Sequence, residues 1–194
     1  MPTKDLGSTA QLERRTRILD TTISLASEGG YDAVQMRAVA EKSDVALGTL
    51  YRYFPSKVHL LVSALGREFA RAEEALAQRQ IPGETGADRV IDVLRRITRS
   101  LQGDEKLVEA LTRAFMFADG SVNDEIEDVG RRLTTIVTHA MHPDENSAPS
   151  EDETVQARVI GDVWLSSLMG WVSGRLTPRE TADHMNRAVR LILR

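Results

Sequence analysis

The stretch from Gln35 to Leu61, QMRAVAEKSDVALGTLYRYFPSKVHLL, leaves the fold little freedom. Met36, Val39 and Ala40 recur at the i, i+3, i+4 spacing of a buried stripe, which predicts a short helix over about Met36 to Lys42. Asp44, a residue type that tolerates left-handed backbone, stands where the chain must reverse. A second short helix, about Leu47 to Tyr53, buries Leu50 and Phe54 and leaves Leu47, Gly48, Thr49, Tyr51, Arg52 and Tyr53 for the open face. Pro55 stops it, because the residue before a proline avoids helical geometry. Ser56 caps the next helix, with Lys57 in its first turn. This is a helix-turn-helix.

The open face carries chemistry suited to DNA. Gly48 lets the helix lie close to another molecule, and Thr49 offers a hydroxyl and a methyl for a base edge or phosphate. Tyr51 and Tyr53 supply phenolic donors, and Lys57 adds a charge where a helix N-terminus already favours an anion. An ordinary helical corner with core aromatics is the competing reading of a generic pattern of this kind.

The string Gly48-Thr49-Leu50-Tyr51-Arg52-Tyr53-Phe54-Pro55-Ser56-Lys57 resembles the signature of TetR-family transcriptional regulators. That resemblance covers about residues 10 to 61 and implies a dimer bound to a palindromic operator in double-stranded DNA. Three positions depart from the family pattern. Gln35 stands where a Ser or Thr caps the helix and touches a phosphate, Asp44 replaces a turn glycine, and Ala46 replaces a capping Ser. The candidate DNA contacts are Arg15, Gln35, Leu47, Gly48, Thr49, Tyr51, Arg52, Tyr53 and Lys57.

A chain of 194 residues can bury a sizeable core, as one domain or two small ones. Cysteine is absent, which excludes disulfides, thiolate metal sites and cysteine nucleophiles. No signal-like N-terminus and no apolar run near the ~20 residues of a membrane span occurs, so a cytoplasmic, nucleoid-associated protein with no membrane partner is expected. The net charge of −4 divides unevenly: residues 1–60 carry eight basic and seven acidic side chains, and the remainder totals −5. DNA binding would then rest on placed contacts doubled by a dimer, with an acidic remainder turned away.

Taken in order, residues 1–8 read as a loose polar arm in which Lys4 could brush phosphates. The first helix starts near Thr9 or Ala10, carries the stripe Ile18, Leu19, Thr22, Ile23 and Ala26, and ends at Gly29-Gly30. Arg14, Arg15 and Arg17 lie near its start, and Tyr31 and Val34 should pack beneath it. Later helices are expected over about 57–80, 87–102, 105–118, 122–141, 151–175 and 178–193. Ser121 is read as a cap, and Ser150 with Glu153 and Thr177 with Glu180 as capping boxes. The fold class is therefore all-α with about nine helices. Residues 1–55 form an arm and a three-helix DNA-binding domain, and residues 56–194 a ligand-binding and dimerisation domain joined by a long connecting helix.

The helix after Ser150 is apolar over most of its circumference beyond Val159, so it needs cover on several sides. Trp164 and Trp171 suit a cavity, the centre of an interface or plain core. The family resemblance implies a four-helix dimer interface from the last two helices, placed at Val163, Trp171, Met185, Val189 and Ile192. It also implies an effector pocket, placed at Leu65, Phe69, Leu101, Leu111, Phe115, Met116, Trp164 and Leu168, although ordinary packing accounts for the same residues.

The stretches LTRAFMFADG and DVWLSSLMGWVSGR look like those of KstR-type repressors of sterol catabolism. This implies release from DNA by a large apolar effector, a sterol-derived acyl-CoA thioester, with Arg95, Arg96, Arg99 and Arg113 at its phosphates; a solvated charged face is the alternative for each. No cofactor is expected. His139, His142 and Asp144 superficially suit a metal, but solvent-facing histidines beside a polar loop explain them, and no metal site is expected. No Walker loop, G-x-S-x-G or H-E-x-x-H motif occurs, so an enzyme is not expected. Three classes stay distinct: a ligand-responsive repressor, a constitutive DNA-binding protein, and a lipid carrier or enzyme indifferent to the open face. A TetR-type regulator of another lipid or efflux pathway is a variant of the first.

Overall fold

The computed structural model describes residues 4–143 and 148–194, without the side chains of residues 4–8, 101 and 102. Among the described residues the chain is all-α: α1 Lys4–Ala33, α2 Met36–Lys42, α3 Leu47–Tyr53, α4 Lys57–Ala77, α5 Gly86–Gln102, α6 Glu105–Met116, α7 Asn123–Met141, α8 Glu151–Val172 and α9 Pro178–Ile192, with a 3-10 turn at Gly120–Val122. None of these helices is long and apolar enough to cross a membrane.

Two compact units emerge. The first reaches to Leu65 and takes in Lys106–Glu125; the second comprises Gly66–Glu105 and Ile126–Arg194. Helix α6 falls in the first unit, with the N-terminal helices, and its side chains bond to the end of α1.

In the first unit α1 packs on α2 and α2 on α3. Ile18, Leu19, Val34, Val39, Leu50 and Phe54 are buried between them. Helix α1 begins at Lys4, earlier than Thr9, and loses helical geometry at Gly29 and Gly30, where Gly30 takes φ +71°. The α2–α3 corner is held by a Schellman arrangement: Asp44 N–H donates to the Glu41 carbonyl (3.3 Å) and Val45 N–H to the Ala40 carbonyl (3.0 Å). Asp44 occupies the left-handed position, at φ +53°, that glycine would otherwise take. The Arg17 guanidinium adds a bond to the Ser43 carbonyl (2.8 Å) at the same helix end. Ser56 caps α4 as expected, accepting from His59 N–H at 3.4 Å.

In the second unit Trp164 of α8 is 1% exposed and meets the Phe69 ring of α4 edge-on, with centroids 5.8 Å apart. Helix α9 packs against both α8 and α5. Arg89 of α5 closes the C-terminal end of α7 by donating to the carbonyls of Ala140 (3.0 Å) and Met141. Helix α8 stops at Val172 rather than near Arg175. A second Schellman turn ends it, with Gly174 N–H on the Trp171 carbonyl (2.9 Å), Arg175 N–H on the Gly170 carbonyl (2.8 Å) and Gly174 at φ +72°.

Both expected capping boxes are formed, Ser150 with Glu153 and Thr177 with Glu180. Ahead of α7, where Ser121 is expected as the cap, a 3-10 turn intervenes that is itself capped by Asp119, whose carboxylate accepts from Ser121 N–H at 2.9 Å. Four of these helix-start carboxyls titrate below their usual range. The Ser150 and Thr177 backbone N–H groups lower Glu153 and Glu180. The Thr85 hydroxyl lowers Asp88, with help from Arg190, and the Ser121 hydroxyl lowers Asp119. A carboxyl lowered in the folded state stabilises the fold above its unfolded pKa and loses that contribution as pH falls through the folded value. The melting temperature is therefore expected to hold from pH 7 to 5 and to fall below about pH 4.5. A Glu153→Gln/Glu180→Gln double variant should start lower and decline less steeply in the same thermal scans.

Candidate functional site

Helix α3 divides cleanly. Leu50 and, just beyond the helix, Phe54 point into the first unit's core. Gly48, Tyr51 and Arg52, related by i, i+3 and i+4, share the outer face and are exposed, Tyr51 at 47%. Leu47, Thr49 and Tyr53 flank that face half-buried. A Cβ placed on Gly48 would meet nothing within 4 Å, so the protein's own packing imposes no demand for glycine there. Gln35 and Ala46, the residues before α2 and α3, make no side-chain cap. Gln35 is exposed, and so is Arg15, whose guanidinium lies 5.5 Å from the Phe54 ring centroid.

Lys57 sits differently from a free surface cation. Its ammonium lies 3.8 Å from the centroid of the Tyr31 ring, and Arg113 of α6 approaches the same ring at 4.5 Å. Burial pushes the Lys57 pKa down, opposed by Asp32 and assisted by Arg113. The Tyr31 backbone N–H donates to the Glu109 carboxylate (3.1 Å), and Lys106 donates to the Glu28 carbonyl (2.8 Å). Helix α6 thus grips the Gly29–Gly30 corner of α1. Arg113, expected at an effector phosphate, is occupied here, 3.5 Å from both Asp32 and Glu109.

The positions expected to line an effector pocket fall in both units. Leu65, Leu111, Phe115 and Met116 belong to the first. Leu111 is buried, Leu65 and Phe115 are half-buried, and Met116 is 58% exposed at the end of α6 and lines no interior. Phe69, Trp164 and Leu168 belong to the second and are buried, and the Trp164 indole N–H donates to the Thr98 hydroxyl (2.9 Å). The side chain of Leu101 lies outside the described residues. Of the remaining arginines, Arg96 is paired with Asp92 at 2.6 Å. Arg95 and Arg99 are exposed along an open groove of about 280 Å³ between α5 and α9.

Two of the positions expected at a dimer interface are covered within the chain itself. Met185 and Val189 are 6% and 0% exposed within the chain, because α9 turns them toward α5 and α8, and so they offer a partner almost no area. The apolar surface left on α8 and α9 lies at Val155, Val159 and Leu191, with Val163, Trp171 and Ile192 half-buried. His142 pairs with Glu153 at 2.7 Å, and Asp144 lies outside the described residues. Among the described residues no cluster of three or more His, Cys, Asp or Glu could hold a metal.

Residues 18–64 match the model of bacterial regulatory proteins of the tetR family, and residues 83–192 that of the tetracyclin repressor-like C-terminal domain. The chain is 52% identical over 189 residues to the HTH-type transcriptional repressor KstR of Rhodococcus jostii (strain RHA1), covering 97% of this chain and 87% of that one. It is 48% identical to KstR of Mycobacterium tuberculosis (strain ATCC 25618 / H37Rv), covering 97% and 84%. Among solved structures, a TetR transcriptional regulator from Rhodococcus sp. RHA1 superposes with a TM-score of 0.84 at 31% identity, over 94% of this chain and 96% of that one. Thermus thermophilus FadR, solved with lauroyl-CoA, shares the fold at a TM-score of 0.74 and 18% identity, over 92% and 93%. With a helix-turn-helix and a C-terminal helical region that each match a family model, the chain belongs to the TetR family of transcriptional regulators.

Proposed function

We propose that the protein is a ligand-responsive repressor that binds a near-palindromic operator as a homodimer and lets go when an acyl-CoA thioester of a sterol catabolite binds its helical C-terminal region. The outer face of α3 carries this reading: Gly48, Tyr51 and Arg52 stand exposed where the protein's own packing does not need them. Identity near 50% to KstR repressors supports the sterol branch of it.

The mechanism follows from dimer geometry. Two recognition helices reach successive major grooves only when about 34–36 Å apart. Helix α4, separated from α3 by three residues, runs without a break from Lys57 to beyond Phe69, a span of about 18 Å at 1.5 Å per residue. A ligand that favours one setting of α4 therefore biases head spacing, and DNA and ligand compete through one conformational equilibrium. A coupling of about 1.4 kcal/mol suffices for a tenfold loss of operator affinity, and the operator must weaken ligand binding by the same factor.

Mobility shifts on the protein's own promoter region test this. Tyr51→Ala is expected to weaken binding roughly a hundredfold, from about 1.4 kcal/mol lost at each half-site. Choloyl-CoA should release the wild-type protein, while binding indifferent to every thioester would identify a constitutive DNA-binding protein. A protein that stays single-chained, or ignores its promoter at low ionic strength, would rule the proposal out.

A further inference from the structure

We propose that the groove between α5 and α9 holds the phosphate-bearing nucleotide end of the CoA thioester, with Arg95 and Arg99 as its phosphate contacts. This rests on the effector reading above and gives that effector a place. An acyl-CoA is an apolar body tied to a polyanion. The apolar part gains from burial, whereas burying several phosphates unpaired is prohibitive, so the polyanion belongs at a cationic rim beside an apolar interior.

Within the second unit those features coincide at this groove. Arg95 and Arg99 lie one helical turn apart on the same edge of α5, both exposed, and neither pairs with an acidic side chain among the described residues. The acid on the opposite wall, Asp183, is 4.0 Å from Arg179 of its own helix. The floor is apolar, formed by Leu94, Met185 and Val189. Thr98, on the same wall as the arginines, donates to the Leu94 carbonyl (2.7 Å) and accepts from Trp164, whose ring packs on Phe69. The groove wall is thus one hydrogen bond from the unit's aromatic centre. Guanidinium groups match phosphate in a planar, bidentate fashion, which lysine does not. A volume of about 280 Å³ is small for a whole thioester and suits one end of it.

The neighbouring arginine supplies a control on the same helix, at half the charge change of the double variant. Arg96 is held by Asp92 and is not part of the groove lining. Calorimetric titrations with free coenzyme A, choloyl-CoA and cholate would compare wild type with Arg95→Glu/Arg99→Glu and Arg96→Glu. The double variant is expected to lose roughly tenfold to a hundredfold in affinity for both CoA compounds. It should keep its affinity for cholate and for operator DNA, which also certifies its fold. Arg96→Glu should bind all of them as wild type does. A loss in binding free energy for Arg96→Glu of half the double variant's, or more, would reduce the effect to net charge and overturn the groove. A double variant that binds choloyl-CoA normally overturns the groove while leaving the effector reading intact. A wild-type protein blind to coenzyme A and choloyl-CoA overturns both.

Discussion

Gly48→Glu is expected to leave the fold as stable as before or slightly more so, and to abolish operator binding. The two effects separate because the residue has no internal duty. A side chain there meets no neighbouring atom within 4 Å, so nothing must move to admit it. Replacing glycine in a helix gains up to about 1 kcal/mol, and a carboxylate in the first turn of α3 adds favourably to the helix dipole. On DNA the same side chain brings bulk and a negative charge to a surface that would lie against phosphates. A penalty of about 2 kcal/mol per half-site, doubled in a dimer, lowers affinity close to a thousandfold. Thermal unfolding and mobility shifts on one preparation read both signs. If Gly48→Glu binds the operator as wild type does, the outer face of α3 is not the DNA-binding surface.

The local grammar of the head was legible in the sequence because it is written in neighbouring residues. The bounds of α2 and α3, the buried pair Leu50 and Phe54, the left-handed Asp44 and both capping boxes depend on contacts within a few positions, and all are present. What escaped depends on partners far along the chain. Lys57 reads as a cation at a helix N-terminus until Tyr31 is placed against its ammonium. Arg113 reads as a surface charge until Asp32 and Glu109 close around it. Periodicity shows that Met185 and Val189 share an apolar stripe, but not that α5 and α8 cover it within one chain. Helix ends erred for a smaller reason: Gly174 stops α8 by its own conformation, inside a stretch whose apolar pattern continues. The exposed outer face of α3 and the exposed Arg95 and Arg99 could be named from sequence, since exposure at helical spacing needs no distant partner, whereas the groove beside those arginines could not.

The two tryptophans of α8 separate core from candidate interface, and the larger stability effect is expected at Trp164. It is 1% exposed, packs edge-on against Phe69 and donates to Thr98. Trp164→Ala removes that area and leaves a cavity lined by side chains held on separate helices, at a cost of about 3–5 kcal/mol. For a chain of this size that corresponds to a melting temperature lower by roughly 8–16 °C. Trp164→Phe keeps most of the ring and forfeits the indole donor, while Thr98 retains its bond to the Leu94 carbonyl, so the expected loss is only about 1–2 kcal/mol. Trp171, half-buried further along the same helix, should behave differently. If its exposed area serves the proposed dimer, Trp171→Ala is expected to leave the unfolding of a dilute sample nearly unchanged and to make the melting temperature rise less steeply with protein concentration. Denaturation at two concentrations a hundredfold apart distinguishes these outcomes. Were Trp164→Ala to melt within about 3 °C of wild type, the second unit's stability could not be centred on the Trp164–Phe69 contact, and the aromatic end of the proposed effector site would lose its physical basis.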